Sequence, residues 1–152
     1  MSAYAVEQVA GAAALPDLLA LRLAWKPASS PGDASALADE LADWWDAEGD
    51  RRRLWVSRHT DGGAVGMANA MIFERMPVPG FGSARWIYVA NVFVLPEHRR
   101  RGVAALLMTA IEKWARAEGM VRIVLAPSDM SIPFYRGQGY REARDLMRRD
   151  LN

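Results

Sequence analysis

Arg99, Arg100, Arg101, Gly102, Val103 and Ala104 stand in a row where a hydrophobic run ending at Val94 gives way to a helical pattern. A strand that turns straight into a helix leaves the first backbone N–H groups of that helix unpaired, and the helix dipole adds partial positive charge there. Such a turn holds phosphate or pyrophosphate. The spacing excludes the commonest devices of this kind. A P-loop needs Gly, four residues, then Gly-Lys-Ser/Thr, and a dinucleotide fingerprint needs three glycines at fixed spacing. Neither string is present. Further along, residues 132–140 read IPFYRGQGY, where Tyr135 offers a phenol that stays protonated near neutral pH, with an ordinary pKa of about 10.

Composition narrows what these groups can serve. The 152 residues fit one domain, 1–152, large enough to bury a core. Hydrophobic residues make up 51%, which points to a folded chain rather than a disordered one. Nineteen basic and 18 acidic residues leave a formal net charge of +1, against a dedicated nucleic-acid binder. There is no cysteine, so a Cys nucleophile, a disulfide and a thiolate metal site are excluded, and two histidines, His59 and His98, are too few for a histidine-rich metal site. No apolar run reaches the roughly 20 residues of a membrane span, and the N-terminus lacks the pattern of a signal peptide. The cytoplasm is the expected location.

The elements that must position the turn and the tyrosine follow from periodicity. Strands are expected at 4–9, 53–58, 64–74 and 83–94, with Asp61-Gly62 as a hairpin turn between the second and third. Helices are expected at 15–25, with Pro16 in its first turn, and from Asp33 as cap to Glu48. Residues 102–118 keep the i, i+3, i+4, i+7 rhythm through Val103, Leu106, Leu107, Ala110, Ile111 and Trp114, and Gly119 ends them. A fully buried strand at 121–126, a short helix near Tyr135 and a last strand at 146–151 complete the pattern.

Arg99-x-x-Gly102-x-Ala104 resembles the acetyl-CoA-binding turn of the GCN5-related N-acetyltransferase (GNAT) superfamily, whose pattern is Gln/Arg-x-x-Gly-x-Gly/Ala. Phe134-Tyr135 with Gly139 and Tyr140 resembles the Phe/Leu-Tyr-x-x-x-Gly-Phe signature of the same superfamily, in the same order along the chain. The resemblance is strong over 86–140, and over 1–85 it rests on element order. It implies an α/β fold: a mixed, mostly antiparallel sheet of six to seven strands with a splayed parallel pair and about four helices.

The resemblance also implies roles. Backbone N–H groups from Arg99 or Arg100 through Arg101, Gly102, Val103 and Ala104 would cradle the pyrophosphate of acetyl-CoA, a co-substrate, with no metal required. Val92, Phe93 and Val94 would line the pantetheine arm, with free backbone groups on Val92 and Val94 pairing with its amides. Ser128 stands where many relatives have an Asn on that arm. Tyr135 matches the general acid that protonates the departing sulfur, and a backbone N–H near Val92 would face the oxyanion. The carboxylate that some relatives carry on the central strand is absent from Val89-Ala90-Asn91. Glu48, Glu74, Glu97 and Asp129 are the alternatives, with a water chain or an already neutral amine as the favoured proton sink. Pro133, two residues before Tyr135, requires that the helix start there or kink.

The acceptor is expected to be a small-molecule or peptide amine, bound by the first two helices and the hairpin. Trp25, Trp44 and Trp45 are candidates to line that pocket, with Phe81 and Arg85 beside them. The expected activity is transfer of the acetyl group to a primary amine by direct attack in a ternary complex. The alternative is a regulatory domain that binds acetyl-CoA and transfers nothing. A nucleic-acid module built on Arg51–Arg53 and Arg99–Arg101 is disfavoured by balanced charge and the lack of interleaved aromatics. No membrane partner is expected, and terminal strands would be compatible with a homodimer.

Overall fold

The computed structural model describes residues 2–152. Five strands, β1 (Tyr4–Val9), β2 (Arg52–His59), β3 (Ala64–Glu74), β4 (Arg85–Val94) and β5 (Ile123–Leu125), form one sheet in that spatial order. The first three pairings are antiparallel and the last, β4 with β5, is parallel. Four helices, α1 (Leu15–Trp25), α2 (Pro31–Glu48), α3 (Val103–Ala117) and α4 (Ile132–Gly137), cover it. Fold class and element order are those the sequence implies, with five strands among the described residues instead of six to seven.

Side-chain alternation divides the core between the two faces of the sheet. On one face Trp55, Ala70, Ile87 and Val89 pack under α3 residues Leu107, Met108 and Ile111. On the other, Leu54, Val56, Met67 and Phe93 pack under Leu18 and Leu21 of α1. Helix α3 earns its place by its stripe: Val103, Leu107, Met108, Ile111 and Ala115 are its buried residues, at the spacing of one helical face. Helix α2 starts earlier than Asp33. Ser30, in extended backbone, accepts a hydrogen bond from the Asp33 N–H (3.2 Å), and Pro31 takes the first turn, where its missing N–H costs nothing. Asp33 instead sits in that first turn, where its charge suits the helix dipole.

The register of β3 on β4 shifts between Met67 and Asn69, where Asn69 faces Ala90 and Met67 faces Phe93. One extra residue on β4 absorbs the shift, and Asn91 adopts φ 56° there. This β-bulge reverses which residues face which way. Before it, the Ile87 N–H points toward β5 and bonds to Arg122 (3.2 Å); after it, the Leu95 N–H points toward β3 and bonds to Val65 (2.8 Å). The backbone groups of Val92 and Val94 therefore point away from β3, past the place where pairing with β5 ends at Val89 and Leu125.

Two expectations for the C-terminal part are corrected. The strand at 146–151 does not form: residues 141–152 are exposed and carry no helix or strand. Leu146, Met147 and Leu151 do not alternate with polar residues, so no single face could be buried by pairing. Instead the segment is held by charge, Asp145 to Arg122 (2.8 Å) and Glu142 to Arg136 (3.0 Å). The expected fully buried strand at 121–126 shortens to β5 and is only half-buried, because nothing pairs with its outer edge and Val121 is exposed.

Candidate active site

A cleft of about 650 Å³ opens where β4 and β5 part. Its floor is Val92, Phe93 and Val94; one wall is the turn and first residues of α3, including Arg99, Arg100, Gly102, Val103 and Ala104; the other wall is Ser128, Ser131, Phe134 and Tyr135. Of the sequence-predicted cofactor residues, all but Arg101 line it.

The turn's conformation makes donors available. Arg100 has φ 59° and Gly102 has φ 81°, both left-handed, and Gly102 caps α3 without a side chain. No hydrogen bond is made by the N–H groups of Arg100, Arg101 or Gly102, and the first intrahelical bond is Leu106 N–H to Gly102 (3.0 Å). The N–H groups ahead of Leu106 are thus free to meet an anion, beside the positive end of the helix dipole. A Cβ on Gly102 would meet nothing within 4 Å, so the glycine is required by the backbone angle and not by crowding.

Arg99 takes a different part from its neighbours. Its Nε donates to the Val94 carbonyl (2.9 Å), and its guanidinium lies 5.6 Å from the centre of the Phe93 ring. One acceptor of the open strand edge is thereby used within the protein. The Val94 N–H and both backbone groups of Val92 keep facing the cleft. Trp25, expected in the acceptor pocket, stacks on Phe93 at 5.2 Å with a 7° interplanar angle and lines this cleft.

Tyr135 is 9% exposed, packed edge-on to Phe134 and Tyr140. Its hydroxyl makes no hydrogen bond, yet it is not among the buried unpaired atoms, whereas the Tyr140 hydroxyl is. The one polar atom of an otherwise buried ring is therefore accessible, and the ring lines the cleft. Burial holds the Tyr135 phenol above its ordinary pKa, which keeps it protonated and able to donate. Pro133 lies in the first turn of α4, where no helical hydrogen bond is lost, so neither kink nor strain follows. Ser128 lines the cleft with its Oγ donating to Ser131 Oγ (3.1 Å).

The structure adds a residue that sequence reasoning passed over. His98 lines the cleft next to the arginines, and its Nδ1 is 2.9 Å from the hydroxyl of Tyr4 on β1. His59 joins them, its ring 5.5 Å from that of His98. The only signal in the chain was that His98 immediately precedes the three arginines.

A second groove of about 340 Å³ lies between α1, α2 and the sheet; Asn91, which lines it, is the chain neighbour of Val92, which lines the cleft. Leu18, Leu37, Leu41 and Trp44 are its apolar walls; Asn69, Arg52 and Asn91 are at its polar end. Of the other candidates for this pocket, Trp45 packs against Trp44 and Gly49, Phe81 is exposed in the β3–β4 loop, and Arg85 bonds to the Glu118 carbonyl (2.8 Å). The carboxylates considered as bases also lie elsewhere: Glu48 is held by Arg51 (2.8 Å) and Arg52 (3.1 Å), Glu74 accepts from Ser83 (2.7 Å), and neither Glu97 nor Asp129 lines either cavity. Among the described residues no cluster of His, Cys, Asp or Glu could hold a metal ion.

The sequence profile of the Acetyltransferase (GNAT) family matches residues 18–140, most of the chain. The chain belongs to that family. Among curated relatives, GNAT-type similarity is found with the aminoglycoside N(6')-acetyltransferase type 1 of Salmonella typhimurium, 39% identical over 59 residues, or 39% of this chain and 40% of that protein. The glucosamine 6-phosphate N-acetyltransferase of Trypanosoma brucei brucei is 30% identical over 90 residues, 59% of each chain. The alignments thus span 40% to 59% of these relatives' lengths. Among solved structures, AAC(6')-Iy in complex with the bisubstrate analogue CoA-S-monomethyl-acetylneamine superposes with a TM-score of 0.71 at 24% identity, over 99% of this chain and 100% of that one. A predicted acetyltransferase from Clostridium acetobutylicum, solved with acetyl-CoA, gives 0.74 at 14% identity, over 97% and 96%. At these identities the superpositions establish the GNAT fold. Among the described residues no helix is long and apolar enough to cross a membrane.

Proposed function

We propose that residues 1–152 form a single catalytic domain that transfers the acetyl group of acetyl-CoA to a primary amine by direct attack in a ternary complex. The observation that carries this reading is the junction at Asn91 and Val92. There consecutive residues of one strand line a cleft with free N–H donors, an open strand edge and a protonated phenol on one side, and a groove large enough for an acceptor on the other. The residues fit the co-substrate. The N–H groups ahead of Leu106 suit a diphosphate, and the edge at Val92 and Val94 suits the amides of an extended arm, as an added strand would. Relatives and neighbours whose names include CoA, aminoglycosides or glucosamine 6-phosphate support the same class.

Acetyl-CoA supplies the acyl carbon and a thiol leaving group. The chain's own groups do the rest. The neutral amine reaches the acyl carbon from the second groove, an N–C bond forms and the C–S bond breaks. The Val92 N–H donates to the oxygen that gains charge. Tyr135 gives its proton to the sulfur and regains one from water. The amine's proton leaves through water in the groove, because Asn91 stands where a carboxylate base would be and Glu48 is committed to two guanidinium groups.

Thiol release from acetyl-CoA across a panel of amines tests the proposal, with Tyr135→Phe alongside. We expect amine-dependent release, and a loss in kcat of about 100-fold in the variant with little change in KM for acetyl-CoA. The alkaline limb of the wild-type profile should lie above the ordinary phenol range, since burial raises the Tyr135 pKa. Tight acetyl-CoA binding with no release on any amine would favour the regulatory-domain reading.

A further inference from the structure

Four side chains at the polar end of the second groove form a directed chain of hydrogen bonds. Arg52 Nε donates to Glu48 Oε2 (3.1 Å), Arg52 Nη1 donates to Asn69 Oδ1 (3.0 Å), and Asn69 Nδ2 donates to Asn91 Oδ1 (2.7 Å). A guanidinium has no acceptor, so the Asn69 oxygen must face Arg52. Its amide nitrogen must then face Asn91, and the Asn91 oxygen must face back. This ordering turns the Asn91 Nδ2 outward with no partner. Arg52 Nη2 is likewise without one, on a side chain that is 17% exposed and stacked 5.1 Å from the Trp44 ring centre. Every acceptor in the chain is taken, Glu48 Oε1 by Arg51 and the others within it; what it offers the groove is donors.

Arg22 adds a third donor group on the same groove. It lies 5.2 Å from the Trp25 ring centre and has no carboxylate within 4 Å among the described residues. Helix α2 is rich in Asp and Glu, but only Glu40 lines the groove, and Glu48 is neutralised by Arg51 and Arg52. A polycationic acceptor would find one carboxylate there against two guanidinium groups and an amide N–H.

From this we infer that the acceptor carries an anionic oxygen group, a carboxylate or a phosphate, beside its amine and on a body that packs between Leu18, Leu37, Leu41 and Trp44. Asn91 Nδ2, Arg52 Nη2 and Arg22 hold the anion while the amine faces the cleft. The inference rests on the transferase reading for its reaction, but not for its binding chemistry. An α-amino acid with an apolar side chain and an amino-sugar phosphate share the required chemistry.

Matched amines that differ only in the anion make the test. Leucine is compared with isoamylamine, phenylalanine with phenethylamine, and glucosamine 6-phosphate with glucosamine, with neamine as the polycation. Both kcat/KM with acetyl-CoA and calorimetric affinity for the CoA-saturated enzyme are measured. We expect the anionic member of at least one pair to exceed its partner about tenfold or more, the scale of one charge-assisted hydrogen bond. Arg52→Gln and Arg22→Gln should each narrow that ratio. Arg22, which bonds to no other side chain, keeps the test informative if the Arg52 variant fails to fold. Ratios near one in every pair, or neamine as the best acceptor, would overturn the inference and leave the transferase reading standing. Selective binding of the anionic amines without turnover would uphold the inference and overturn the transferase reading.

Discussion

Ser57 carries a hydroxyl into the apolar layer between the sheet and α3, fully buried and without a hydrogen-bond partner. A Cβ on neighbouring Gly66 would stand 2.5 Å from that oxygen, so the two residues share one small space. An unpaired buried hydroxyl costs its desolvation with no bond in return. Ser57→Ala should therefore raise stability, by about 1 kcal/mol, measured by urea unfolding; a loss would mean that the hydroxyl has a partner in solution. Gly66→Ala should destabilise, and less so in the Ser57→Ala background. The tyrosines make the opposite comparison. Burial pushes the Tyr140 phenol up to about 12 and also raises Tyr135, but the Tyr140 hydroxyl is buried and unpaired, whereas that of Tyr135 is accessible on a ring that lines the cleft. That difference in access is why the proposed acid is Tyr135 and not Tyr140.

The strand–turn–helix unit forms one wall of the cleft, proposed to hold the cofactor, and its weakest point to substitution is Gly102. At φ 81° an alanine adds about 1 kcal/mol of backbone strain or more, although space is open around it. Gly102→Ala should raise KM for acetyl-CoA several-fold while the melting temperature falls only slightly; an unchanged KM would remove the turn from cofactor binding. This unit was legible in the sequence because its signals are local: the Arg-Gly turn, the α3 stripe and the Tyr135 motif each lie within a short run. The bulge at Asn91 was not, since a single extra residue leaves no periodicity to read. Nor was the Arg52–Asn69–Asn91 chain, which joins three strands, or the Tyr4–His98 contact between residues 94 apart, which exists only through the β1–β2 pairing that also carries His59. The strand expected at 146–151 is absent because Leu146, Met147 and Leu151 lack the alternation with polar residues that pairing on one buried face requires.

Across the whole molecule, the sheet separates two cavities: α3 packs one face and its first turn walls the cleft, while α1 and α2 pack the other and wall the second groove. Charge ties the periphery. Glu48, held by hydrogen bonds from Arg51 and Arg52, Asp61, held by the Gly63 N–H, and Asp145, held by its own N–H and by Arg122, all have lowered pKa values. A carboxylate with a folded pKa below its unfolded one contributes stability above the unfolded value, near pH 4, and loses it as pH falls through the folded value. Stability should thus change little from these groups between about pH 7 and 5 and decline below about pH 4. Glu48→Gln should shrink that decline, read from melting temperatures across the range; an identical acid profile would show the ion pairs to be neutral for folding.

Backbone hydrogen–deuterium exchange with and without CoA tests the central claim most directly. The account predicts slower exchange at residues 100–105 and at Val92 and Val94, with little change at 141–146 on the far side of β5. Protection confined to that far side, or none at the opening of α3, would contradict it.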